Sequence, residues 1–178
     1  MSYFAAAAVR GTDGWTTAEI DLSAAADIEE VADLMRDVEP DAQVSLLFVE
    51  SDETYLVILR LDEGEDLRVF GSDSTFAEES RLGALLLGDV EEPALEIDDV
   101  IGEVESAEPD DEDGDEEPDG VEPDVEPVGD ADLLADLGVP AKRLLELCAQ
   151  EGMLPPDVTA EICQTIGCGD QMEELREA

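Results

Sequence analysis

The sequence predicts an α+β protein. A small antiparallel sheet, in the order β-β-α-β-β-β-α and covered by its helices, is followed by an acidic disordered linker and then a small all-helical C-terminal module. Three observations carry this. Residues 1–88 alternate short apolar runs with turn residues and two helical stretches, on connections too short for parallel crossovers. Asp89 to Pro127 holds 20 Asp or Glu in 39 residues, no Lys or Arg, and five of the nine prolines. Beyond it, Gly and Pro punctuate four short segments of helical spacing. The expected division is therefore 1–88, 89–128 and 129–178.

Ser2 to Arg10 reads as a buried strand, in which four alanines invite close packing by a helix on one face. Gly11-Thr-Asp-Gly14 supplies the turn, and Trp15 to Leu22 the strand that hairpins onto the first. Asp27 with Glu30 three residues on has the spacing of a capping box. Ile28, Val31, Ala32, Met35 and Val38 follow at helical period, and Pro40 closes the segment. Its other face carries Glu29, Glu30, Asp33 and Asp37, a solvated surface.

Val44 to Glu50 is a strand. Thr54 to Leu61 is the next, and its near-continuous apolar run places it centrally. Leu67 to Phe70 forms a fifth. A helix then starts at Ser74 and reaches the neighbourhood of Leu87, with Gly88 ending it. The 88 residues are few but sufficient for an independent core.

In the C-terminal part Asp130 caps a helix ending at Gly138, and Pro140 begins a second ended by Gly152. Pro155-Pro-Asp157 begins a third, ended by Gly167, and Asp170 with Glu173 opens the last. About fifty residues is marginal for a core, so docking onto the sheet or a partner should support this module.

The linker lacks the means to fold. Leu95, Ile97, Val100, Ile101, Val104, Val121 and Val125 are too scattered to offset roughly 1–2 kcal/mol of backbone entropy per residue. Its like charges repel and extend the chain. Only Leu95 to Val104 is apolar enough for a short turn or strand. The densest acidic part, Asp110, Asp111, Glu112, Asp113, Asp115, Glu116, Glu117 and Asp119, is the candidate protein-interaction segment. It would dock a basic partner, and the plainer reading is a solvated spacer. Asp111, Asp113 and Asp115 are spaced like the first ligands of a calcium loop, but Glu116 stands where the sharp turn needs Gly.

Charge and composition exclude several functions. Net charge is −15 over 1–88, −20 over 89–127 and −8 over 128–178, in a chain of net −43. Every part is acidic, so no basic face for direct nucleic-acid binding is expected. There is no His, which removes the commonest general base and metal ligand. Lys142 is the single lysine. Cys148, Cys163 and Cys168 lie in apolar helical settings and read as buried thiols. A zinc deaminase requires H-x-E and P-C-x-x-C segments, and neither is present. No P-loop or dinucleotide fingerprint occurs. The expectation is a non-catalytic protein without cofactor or metal. No apolar run reaches the ~20 residues that span a bilayer, and Met1 to Arg10 lacks a cationic start. A cytoplasmic location is expected.

Ser2-Tyr-Phe-Ala-Ala-Ala-Ala-Val-Arg10 with Trp15, Leu85-Leu-Leu-Gly-Asp89, Gly129-Asp-Ala-Asp-Leu-Leu-Ala-Asp-Leu-Gly-Val-Pro140 and Leu144-Leu-Glu-Leu-Cys-Ala-Gln-Glu-Gly-Met-Leu-Pro155 together resemble the bacterial, actinobacterial-type tRNA adenosine deaminase-associated proteins. The resemblance spans both folded parts. It implies an accessory role beside that deaminase and carries no active-site residues with it. The partner expected is the tRNA adenosine deaminase or another basic protein, met through the acidic surface and tether. The alternative is a self-associating scaffold or adaptor unrelated to tRNA editing.

Overall fold

A computed structural model describes residues 3–51, 54–63, 65–73, 75–88, 127–150 and 152–177. Residues 89–126 lie outside that set, together with the Leu95 to Val104 segment and the calcium-like triplet.

Tyr3–Gly11 (β1) and Gly14–Glu19 (β2) form the expected hairpin, and Ile28–Val38 (α1) follows. Val44–Ser51 (β3), Tyr55–Asp62 (β4) and Asp66–Gly71 (β5) complete the predicted strands. With Val128–Gly129 (β6) they make one antiparallel sheet in the order β2-β1-β3-β4-β5-β6. β4 is central, as its apolar run required, and its neighbour β3 is buried at every position.

Helix starts follow their caps. The Asp27 carboxylate accepts from Glu30 N at 3.0 Å, and Val31, Ala32 and Met35 turn into the core. The single helix expected from Ser74 to Leu87 is instead two, Thr75–Glu79 (α2) and Arg81–Leu87 (α3). Ser80 breaks it: its backbone is extended, and its Oγ accepts from Leu82 N at 3.1 Å and Gly83 N at 3.3 Å. A serine that can cap competes with helix continuation. The two helices meet so closely that a Cβ on Gly83 would lie 1.9 Å from the Phe76 carbonyl oxygen.

After the linker the chain re-enters as β6, where Val128 pairs with Gly71 and Gly129 with Phe70. Gly129 is required there, since φ is +93° and a Cβ would come within 2.1 Å of Val69 O. Ala131–Leu137 then forms a 3₁₀ helix capped by Asp130, followed by Ala141–Ala149 (α4), Pro155–Ile166 (α5) and Gly169–Glu177 (α6).

Both sheet faces are covered. On the first, Ala5, Ala7, Leu47, Val49, Val57 and Leu59 pack with α1, α2 and α3. On the second, Ala6, Ala8, Leu46, Phe48, Ile58 and Phe70 pack with the C-terminal helices. Alternation of side chains along a strand sends odd positions of β1, β3 and β4 one way and even positions the other. The alanines of β1 thus serve both faces.

Candidate functional site

The same alternation places the charged residues of the strands. Glu50, Arg60 and Arg68 are even positions, so they point to the face where the C-terminal helices sit. Arg60, 4% exposed, is the centre of that junction. Its Nη1 donates to Leu133 O and to Asp136 Oδ1, each at 2.5 Å, and Nη2 donates to Asp136 Oδ2 at 2.9 Å. Its Nε donates to Asp62 Oδ1 at 3.0 Å. The hydrogen bonds to Asp136 hold the Arg60 guanidinium above its usual range, and those same bonds hold the Asp136 carboxyl below its own. Arg68 adds contacts to Asp62 at 3.3 Å and Asp130 at 3.7 Å.

At the other end of the interface Arg176 of α6 donates to the buried Glu50 and lies 4.6 Å from the centre of the Phe4 ring. Thr17 Oγ1 donates to Gln171 O at 3.0 Å. Three of the chain's eight cations are therefore paired with carboxylates of the same chain at this junction.

The thiols are sequestered. Cys163 and Cys168 are buried, and a hydrogen bond between them followed by burial drives the Cys163 thiol upward. Cys148 keeps some contact with solvent, yet surrounding protein pushes it up to about 12. Neither of these two groups is poised as a thiolate nucleophile. Among the described residues no cluster of His, Cys, Asp and Glu is placed to hold a metal ion, and no helix is long and apolar enough to cross a membrane.

The acidic candidates Asp110, Asp111, Glu112, Asp113, Asp115, Glu116, Glu117 and Asp119 fall outside the described residues. The structure does show a depression the sequence reading missed. It lies between the end of α4 and α5, opens broadly to solvent with a volume of about 390 Å³, and is lined by Gln150, Met153, Asp157, Ala160, Glu161 and Gln164. Asp157 Oδ2 accepts from Leu154 N at 3.3 Å, and Arg143 comes to 4.0 Å from Glu161. Leu154, next in the chain to Met153, is 44% exposed, the one large apolar side chain so exposed among the described residues. A signal was present in the sequence. Leu154 holds the N-cap position of α5, where a short polar side chain is preferred.

The model of the Rv3753c-like tRNA adenosine deaminase-associated protein family matches residues 3–169, and the chain belongs to that family. No curated protein matches it, and no solved structure does.

Proposed function

We propose that this member of the family is a non-catalytic accessory protein that binds the tRNA adenosine deaminase through its acidic surface and tether. The observation that carries the reading is the distribution of charge. Net −43 is spread over every part of the chain, and the arginines on the sheet face that meets the C-terminal helices, Arg60 and Arg68, are already paired with carboxylates of the same chain. An enzyme that acts on tRNA must present a basic surface to phosphates. A chain acidic throughout complements that surface, speeds encounter with it and competes with tRNA for it. Within the tether, Asp110 to Asp119 supplies the densest charge, and a folded surface supplies specificity.

Self-association is the second reading, and the charge opposes it, because two copies each of net −43 repel at low salt. Sedimentation of the full chain decides between them. A dimer that persists at low and high salt would support scaffolding.

The direct test is co-purification with the tRNA adenosine deaminase of the same organism. Capture at low salt, release at high salt and displacement by tRNA are expected. No capture at either salt would sink the accessory reading.

A further inference from the structure

We propose that the outer edge of β2 receives an extended segment of the basic partner as an added strand, with cationic side chains at every second position. This rests on the accessory reading above and names the folded surface that it uses.

Pairing decides which main-chain groups are free. Ile20 N donates to Ala5 O at 2.9 Å, one step beyond the register that sets Glu19 opposite Ala6 and Ala18 opposite Ala7. Main-chain groups alternate sides along a strand, so Gly14, Thr16 and Ala18 face β1 while Trp15, Thr17 and Glu19 face away. β2 ends the sheet, and the N–H and C=O groups of those three residues take no hydrogen bond among the described residues.

Proteins blunt such an edge with charge, proline or a bulge. The opposite edge is blunted: β6 covers one end of β5, and Asp66 and Arg68 charge the other. Along β2, Gly14 to Ala18 carries neither charge nor proline and pairs with β1 without interruption. In a chain of which 33% is charged, that stretch is an unguarded template for strand addition.

The margins select the occupant. Thr17 Oγ1 donates to Gln171 O, which sets α6 over β2 on the second face. There α6 exposes Asp170, Glu173 and Glu174, and Asp13, Glu19 and Asp21 flank the strand itself. Arg10, opposite Trp15, is the one cation of the hairpin. A second copy paired edge to edge would bring its own α6 carboxylates against these and be repelled. A segment of a basic protein meets them with opposite charge. Side chains of an added strand alternate between faces, so every second one lies on the side of α6, and those are the cationic positions.

The experiment is amide hydrogen exchange of the full chain, alone and bound to the deaminase. Alone, the Thr16 and Ala18 amides should exchange slowly and those of Trp15, Thr17 and Glu19 fast. In the complex the last three should slow by about tenfold or more. A complex that leaves all three fast overturns the site. So does slowing that grows with protein concentration in the absence of deaminase, because a second copy is then the occupant. Thr17→Pro removes one outward N–H where an edge strand tolerates proline, and should weaken binding about tenfold or more. Thr17→Val, which gives up only the hydroxyl bond to Gln171, should lose far less. Equal losses in the two would place the effect in α6 and overturn the edge. A second arm uses the blocked peptide acetyl-Arg-Thr-Arg-Thr-Arg-Thr amide, which should shift the Trp15, Thr17 and Glu19 amides where its Glu counterpart does not. Such shifts without any binding of the deaminase would reject that enzyme as the source of the strand and leave the edge site standing. Shifts by both peptides alike, or by neither with the deaminase also unbound, overturn it.

Discussion

The two faces of the sheet are built differently. The face under α1, α2 and α3 is closed by helices that follow their strands after short connections, and the positions of β1, β3 and β4 that line it carry no charge, with Ser45 and Ser51 as their buried polar side chains. The face under the 3₁₀ helix and α4 to α6 is closed by chain that arrives only after residues 89–126, and there Glu50, Arg60 and Arg68 interrupt the apolar surface. Local helices are brought to their place by short connections, so apolar complementarity is enough to seat them. A distant segment can slide on an apolar face, and directional ion pairs select one placement. Arg60 does so most fully, because its fork reaches both Asp136 and a carbonyl of the same helix.

The largest expected effect comes from removing one cover altogether. A chain of residues 1–88 exposes Ala6, Ala8, Leu46, Phe48, Ile58 and Phe70 along the open face. A contiguous apolar patch of that kind drives association. The fragment is expected to bind a hydrophobic dye and to self-associate, and adding residues 127–178 should reverse both. A monodisperse, dye-silent fragment would show that the sheet needs only one cover and would uphold the division at residue 88.

Next comes the pin of the distant cover. Arg60→Ala leaves the Leu133 carbonyl and two carboxylates without their guanidinium and opens a void, which should cost about 3 kcal/mol. Arg60→Met, which refills the space with apolar atoms, should cost about half as much. Denaturant unfolding followed by Trp15 fluorescence reads both, since Trp15 is half-buried against the second-face cluster near Gly167. Arg60→Met behaving worse than Arg60→Ala would mean that shape, not pairing, governs the site.

A third effect depends on where the linker begins and ends. The Leu87 side chain would come within 2.8 Å of a Cβ on Gly71, and Val128 pairs with that same Gly71. Both ends of the acidic run therefore leave from one place on the β5 edge. Joining Gly88 to Pro127 through about eight neutral residues spans that gap and should raise stability by about 1 kcal/mol, because the smaller loop closes at less entropic cost. The same variant should lose much of its salt-sensitive capture by the deaminase. A marked drop in melting temperature would show that the acidic run supports the fold.

The smallest effect is the pH dependence of one carboxyl. Asp136 is held below its ordinary value of 3.8 by Arg60, so the folded chain keeps it ionised where the unfolded chain protonates it. The stabilisation is complete above the unfolded value and is lost as pH falls through the lower folded one. Asp136 is 62% exposed, so solvent screening keeps the contribution small. The melting temperatures of wild type and Asp136→Asn should differ at pH 6 and converge only as pH falls well below 3.8. A gap that stayed constant with pH would remove ionisation from the account.

Several elements were legible in the chain because their causes are local. Asp27 and Asp130 cap helices through backbone groups two or three residues on, and Gly167 ends α5 in the left-handed region at φ +110°. The hairpin between β1 and β2 and the central place of β4 followed from turn residues and apolar runs. The density of Asp110 to Asp119 was equally plain, as composition needs no partner to be read. The Ser80 break was within reach too, because serine carries both helical and capping tendencies, but only the approach of Phe76 to Gly83 decides between them.

What the sequence by itself determined, then, are the first five strands, the helix starts at Asp27, Asp130 and Pro155 and the acidity of every part of the chain, each set by a residue's own chemistry or its near neighbours. The tertiary structure alone decided that the alanines of β1 pack on two sides, that two residues after the linker become a sixth strand, and that Arg60 meets Asp136 across 76 positions. It alone decided that Met153 and Gln164 border one depression. A two-residue strand has no period, and a contact over that distance leaves no spacing to read. Such features exist only once the folded backbone has brought separate stretches within a few ångströms of each other.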